Sequence, residues 1–147
     1  MIEVEVEDAA WTAAEPAAGR LAAAAATATL ARECPQGAAD VAILLTGDAQ
    51  VRDLNARFRS VDAPTNVLAF PAPAPAPALG DIALAFGVCR REAAEQGKSL
   101  GDHLQHLTTH GVLHLLGYDH LTESEAERME ARERAILASL GVADPYA

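Results

Sequence analysis

Aromatic side chains are scarce in this chain, at 4% of 147 residues. Its core cannot rest on rings, so Val, Ile and Leu must supply the bulk and the abundant Ala must let helices pack closely. Cysteine is scarcer still. Cys34 and Cys89 stand alone, neither in a C-x-x-C, which excludes a disulfide framework and fits a reduced, cytoplasmic setting. Cations are also few, 11 Lys and Arg against 21 Asp and Glu, for a formal charge of −10. That balance argues against a nonspecific nucleic-acid coat protein, because phosphate binding needs cations. Only the middle of the chain escapes it: residues 50–98 carry +1, against −6 for residues 1–49 and −5 for residues 99–147. Long apolar runs are missing too. The alanine run at 22–26 is short and its segment is flanked by Arg20 and Arg32, and MIEVEVE has no basic stretch ahead of an apolar one. Neither a membrane span nor a signal peptide is expected.

The length is that of one ordinary domain, and residues 1–147 are expected to form one. Ile2, Val4 and Val6 alternate with Glu3, Glu5 and Glu7, the period of a half-exposed strand. A helix is expected over residues 16–33, a buried strand over 41–45, and a helix after Asp48 as N-cap. Val51, Leu54 and Phe58 mark the apolar side of that helix. Strands follow at 67–70, ended by Pro71, and at 80–85. Between them, residues 71–77 alternate Pro and Ala and read as an extended, polyproline-like excursion without ladder bonds. Helices are expected over 86–96, over 102–116, and from a capping box at Thr122 and Glu125 to a stop at Gly141. The pattern implies an α+β fold: a small mixed sheet of about four strands, about five helices, and a histidine-bearing helix packed on the sheet.

All five histidines fall between His103 and His120. His110 and His114 are about one helical turn apart, so both imidazoles leave the same face. Gly117 can take the left-handed conformation that ends a helix, and Tyr118-Asp119 then carry His120 back toward the pair. Three imidazoles without a fourth protein ligand form the pattern of a catalytic metal site with one open position, and zinc suits them best. His103 and His106, on roughly the same face, are expected to make supporting hydrogen bonds, the other reading being a second metal pair of His106 with His110, four residues on, and Asp119 either orients a ligand ring or serves the turn. The spacing H-x-x-x-H-x-x-G-x-x-H equals that of metzincin peptidases except that Gly111 replaces their catalytic glutamate. That substitution disfavours peptide hydrolysis.

The run from His110 through Gly111, His114, Leu115-Leu116-Gly117-Tyr118-Asp119 to His120 resembles the signature of the bacterial YbeY family of zinc-dependent, single-strand-specific endoribonucleases. Leu54-Asn55 with Phe58-Arg59 is similar to the family's L-N-x-x-[FY]-R, Thr65 to Pro71 to T-[DN]-V-L-S-F-P, and Leu79-Gly80-Asp81-Ile82 to L-G-D-I. Met129-Glu130 and Asp144-Pro145-Tyr146 also fit. Ala69 departs from a usual serine and Asn66 from the commoner aspartate. The resemblance implies one zinc ion on His110, His114 and His120. It also implies a cleft arginine, Arg59, needed for activity, and a role in maturing the 3′ end of 16S ribosomal RNA and in ribosome quality control. A guanidinium there suits the charge that builds on a phosphodiester. Arg52, Arg57, Arg90, Arg91 and Lys98 are candidates for a wider RNA-facing surface. The expected partners are single-stranded ribosomal RNA and ribosomal particles, with no membrane and the oligomeric state left open. Two other readings stand beside this one. In the first, the protein is a ribosome-assembly factor whose zinc is structural. The second is a peptidase served by a carboxylate such as Asp81 or Asp119.

Overall fold

The computed structural model describes residues 1–35, 37, 39–73 and 77–147. Its sheet has four strands, β1 (Ile2–Val6), β2 (Asp40–Thr46), β3 (Val67–Pro71) and β4 (Ala78–Ala85), in the order β1-β2-β4-β3. The first three in that order run parallel, and β3 pairs antiparallel with β4 at one edge. Six helices surround it among the described residues: α1 (Ala10–Ala14), α2 (Ala18–Glu33), α3 (Asp48–Arg59), α4 (Phe86–Glu95), α5 (Leu100–Leu115) and α6 (Glu123–Ser139). The architecture is the α+β mixture expected, with one more helix.

The additional helix is α1, which carries no apolar periodicity to announce it. The Asp8 carboxylate accepts from the Ala10 N–H at 2.9 Å, and Trp11 anchors the turn by donating its indole N–H to the Thr46 carbonyl at 2.9 Å. The following helix starts at Ala18, not Pro16. Asp48 is not an N-cap either. Gly47 holds that position, and Asp48, already helical, accepts the Val88 N–H at 3.1 Å. Pro71 belongs to β3, which tolerates it because β3 is an edge strand. Residues 74–76 of the Pro-Ala stretch lie outside the described residues. Its flanks do make backbone bonds, Ala72 N–H to Leu79 O at 3.0 Å and Asp40 N–H to Pro77 O at 2.8 Å, contrary to the expectation of none.

The main core lies on one face of the sheet, where Val41, Ile43, Leu45, Ile82 and Leu84 meet α2 and α5. Ala18, Ala22, Ala25 and Ala26 are wholly buried, so α2 approaches its neighbours at alanine distance, as the composition implied. The opposite face is smaller: Val51 of α3 packs there on Leu68, Ala83 and Ala85. Helix α6 lies outside α5, with Leu113, Met129 and Ile136 between them. The histidine helix is therefore held between the sheet and α6.

Candidate metal centre

Helix α5 is built to present His110 and His114. Ser99 caps its start by accepting the Asp102 N–H at 3.0 Å, and Leu104, Leu107 and Val112 bury its inner side. Gly111 is part of that contact, because a Cβ added there would lie 3.1 Å from Ile82 Cδ1. The helix ends in a Schellman turn: the Gly117 N–H donates to His114 O and the Tyr118 N–H to Leu113 O, both at 3.0 Å, with Gly117 at φ +100°. Tyr118 packs against the Leu113 cluster and donates its hydroxyl to Glu33 at 2.7 Å, fixing the turn on α2. His120 is thereby folded back, its ring 5.5 Å from that of His110 and 5.1 Å from that of His114.

One ligand atom from each of the three rings lies within 4.8 Å of the others. His110 Nε2 and His114 Nε2 are 3.1 Å apart. Tetrahedral zinc with Zn–N bonds of about 2.1 Å places its nitrogens roughly 3.4 Å apart, so the donor set suits such an ion after a small adjustment of exposed His120. Burial, and then the neighbouring His110 and His120, push the His114 imidazole below its ordinary range, keeping it neutral with a lone pair to give.

Behind the rings stands a residue that sequence reading missed. Glu133 of α6 has a fully buried side chain, and its Oε1 lies 2.5 Å from His110 Nδ1. Tyr146 donates its hydroxyl to the other oxygen. Burial alone would raise this carboxyl, but the hydrogen bonds from His110 and Tyr146, with the His106 imidazole 3.7 Å away, hold it down at about 2. A signal was present: with Met129, Ile136 and Leu137 buried, Glu133 is an acid on the apolar stripe of α6. Asp119 does not orient a ring, and its carboxylate accepts the backbone N–H of His120 at 2.8 Å. His103 Nε2 lies 2.9 Å from Glu92 Oε1, and His106 Nε2 lies 3.3 Å from the Tyr146 hydroxyl, so both make supporting contacts. Asn66 donates to the same Glu92 at 3.0 Å, a place where an aspartate would oppose another carboxylate.

The three histidines open on a cavity of about 410 Å³ whose other wall is Arg59 with Thr65, Asn66 and Ala69. Arg59 ends α3 and donates Nη2–H to the Ala69 carbonyl at 2.6 Å, with its guanidinium 5.5 Å from the centre of the Phe70 ring. No carboxylate lines this cavity among the described residues, and Asp81 and Asp119 border other hollows. The wider basic set is dispersed. Arg52 pairs with Asp62 at 2.7 Å, Arg57 with Asp53 at 3.2 Å and Arg91 with Asp48 at 3.6 Å. Neither these three nor Arg90 or Lys98 line the cavity.

The family model described as Endoribonuclease YbeY matches residues 3–141. The chain is similar to a curated Endoribonuclease YbeY of Rhodopseudomonas palustris, 51% identical over 152 residues, covering 99% of this chain and 80% of that protein. A second, from Paramagnetospirillum magneticum, is 48% identical over 158 residues, covering 99% of this chain and 94% of the other. The solution structure of TM1509 from Thermotoga maritima shares the fold at a TM-score of 0.58 and 21% identity, over 95% of this chain and 91% of that one.

Proposed function

The chain belongs to the YbeY endoribonuclease family, and on that premise we propose that it cuts single-stranded RNA using one zinc ion held by His110, His114 and His120. It is an enzyme acting on RNA phosphodiester bonds. One observation carries the zinc-centred reading: the three-histidine cluster shares its cavity with a guanidinium and with no carboxylate among the described residues. A wall of that composition attracts an anionic phosphodiester, and it disfavours the metzincin-like alternative by offering a peptide bond no general base on that side; Glu130 and Glu133 meet His110 and His120 only in a separate hollow.

Bound zinc would supply Lewis acidity toward the phosphodiester. The chain's own groups do the rest. Arg59, tied at Nη2 to Ala69, binds phosphate oxygens through its remaining N–H groups and offsets the charge that grows during cleavage. Glu133 keeps the proton on His110 Nδ1, which leaves the Nε2 lone pair facing His114. Gly111 lets α5 sit directly on Ile82, so that the histidines and the β3 edge share one hollow.

The resemblance noted in the sequence directs this activity to ribosomal RNA, at the 3′ end of the small-subunit species, in the cytoplasm and on ribosomal particles, with residues 1–147 working as one unit. No helix of the described residues is long and apolar enough to cross a membrane. The test is cleavage by purified, zinc-loaded protein of matched single-stranded and duplex RNAs spanning that 3′ region. Cleavage confined to the single strand supports the proposal, and equal cleavage of the duplex contradicts it. Product ends assign the nucleophile: a 2′,3′-cyclic phosphate means the RNA's own 2′-hydroxyl, a simple monophosphate means water.

A further inference from the structure

Asp144-Pro145-Tyr146 lies outside the cavity shared by the three histidines and Arg59. The structure lays this segment along α6. Arg134 Nε lies 3.1 Å from Asp144 Oδ2, and its guanidinium sits 5.4 Å from the centre of the Tyr146 ring. The Tyr146 N–H donates to Asp144 Oδ1 at 2.8 Å, closing a turn that directs the phenol inward. There the hydroxyl meets Glu133, whose side chain is 0% exposed.

Proton bookkeeping gives this contact a direction. An ionised Glu133 only accepts, so the single hydroxyl proton of Tyr146 goes to it. His106 Nε2, 3.3 Å from that hydroxyl, must then donate to the phenol oxygen. This leaves His106 Nδ1 as a bare lone pair, which matches its being buried and unpartnered. On its other oxygen, Glu133 accepts Nδ1–H of His110 at 2.5 Å. His110 is thereby fixed as the tautomer whose Nε2 is free, 3.1 Å from His114 Nε2. Both oxygens of Glu133 are engaged behind the ring, and Glu133 does not line the cavity that holds Arg59. It is a positioning residue.

We propose that the segment 144–146 is a clasp on the metal centre: Tyr146 holds Glu133, Glu133 holds His110, and metal affinity therefore depends on a phenol that never touches the ion. The inference rests on the three-histidine site being a metal site. A buried carboxylate beside a ligating imidazole is favourable only while its other oxygen is satisfied, and the phenol supplies that bond. Losing an outer partner of a metal ligand typically weakens binding about 10–100-fold.

The test measures the Zn²⁺ dissociation constant by chelator competition, with the Co²⁺ absorption spectrum as a second readout, on wild type, Glu133→Gln and Tyr146→Phe. Denaturation of each metal-free protein checks folding. The clasp predicts about 10–100-fold weaker zinc for Glu133→Gln and a smaller loss for Tyr146→Phe, with altered cobalt bands in both. Tyr146 is partly exposed, so its variant keeps the test alive if Glu133→Gln does not fold. Wild-type affinity and spectrum in a folded Tyr146→Phe would overturn the clasp while leaving the metal site standing. A wild type that binds neither ion would overturn the metal site and the clasp with it.

Discussion

Gly111 and Ile82 touch where α5 lies on β4: a Cβ at position 111 would sit 3.1, 3.3 and 3.4 Å from three Ile82 carbons. Position 111 immediately follows the first histidine of the cluster, where metzincin peptidases carry their general base. Here that place is occupied by helix–sheet packing. Gly111→Ala should be nearly neutral, since about 1 kcal/mol of helix propensity gained offsets the squeeze on Ile82. Gly111→Glu should destabilise by about 1–3 kcal/mol through overpacking and create no peptide hydrolysis. Urea denaturation of the metal-free variants and a casein digest with added zinc check both expectations.

Arg59 makes one bond to the Ala69 carbonyl and otherwise faces the cavity or the Phe70 ring. Arg59→Ala should therefore lower kcat/KM for RNA by about 10²–10³-fold, the size expected for one lost charge-stabilising donor. Its denaturation midpoint should stay close to that of wild type. Arg59→Lys keeps the charge but not the fork of donors, and should recover only part of the rate. An Arg59→Ala enzyme that cuts RNA at the wild-type rate would remove Arg59 from the chemistry.

His103 supplies a pH dependence away from the metal cluster. Its side chain is 3% exposed and its Nε2 meets Glu92 Oε1 at 2.9 Å. Burial, partly opposed by Glu92, pushes its imidazole below the free value of 6.5. Below that pH the unfolded chain takes up a proton that the folded chain resists, so stability is full above 6.5 and falls as the pH drops. Metal-free His103→Gln, which can still donate to Glu92 but cannot titrate, should lose less stability on acidification. Identical slopes of denaturation midpoint against pH would contradict this origin.

The parts of the molecule legible in the sequence are those set by local rules. Thr122 and Glu125 form their reciprocal cap, Gly117 takes its positive φ, and the spacing of the histidines becomes a cluster because a helix and one turn suffice to build it. What depends on distant partners was not legible. The order β1-β2-β4-β3 is decided by packing on both faces of the sheet. Asp48 looked like a cap because its true partner, Val88, is 40 residues away. Glu133 stands between Arg132 and Arg134 in a charged stretch, and its burial comes only from the docking of α6 on α5. Helix α1 rests on the contact of Trp11 with Thr46, which nothing nearby in the chain announces.

The central claim is that three imidazoles hold one catalytic ion beside Arg59. Elemental metal analysis and RNA cleavage, measured on the same preparations of wild type and His114→Ala, test it most directly. Wild type should carry one zinc per chain and cleave RNA, and a His114→Ala protein that still folds should have lost both. Undiminished cleavage by metal-free His114→Ala would contradict the claim.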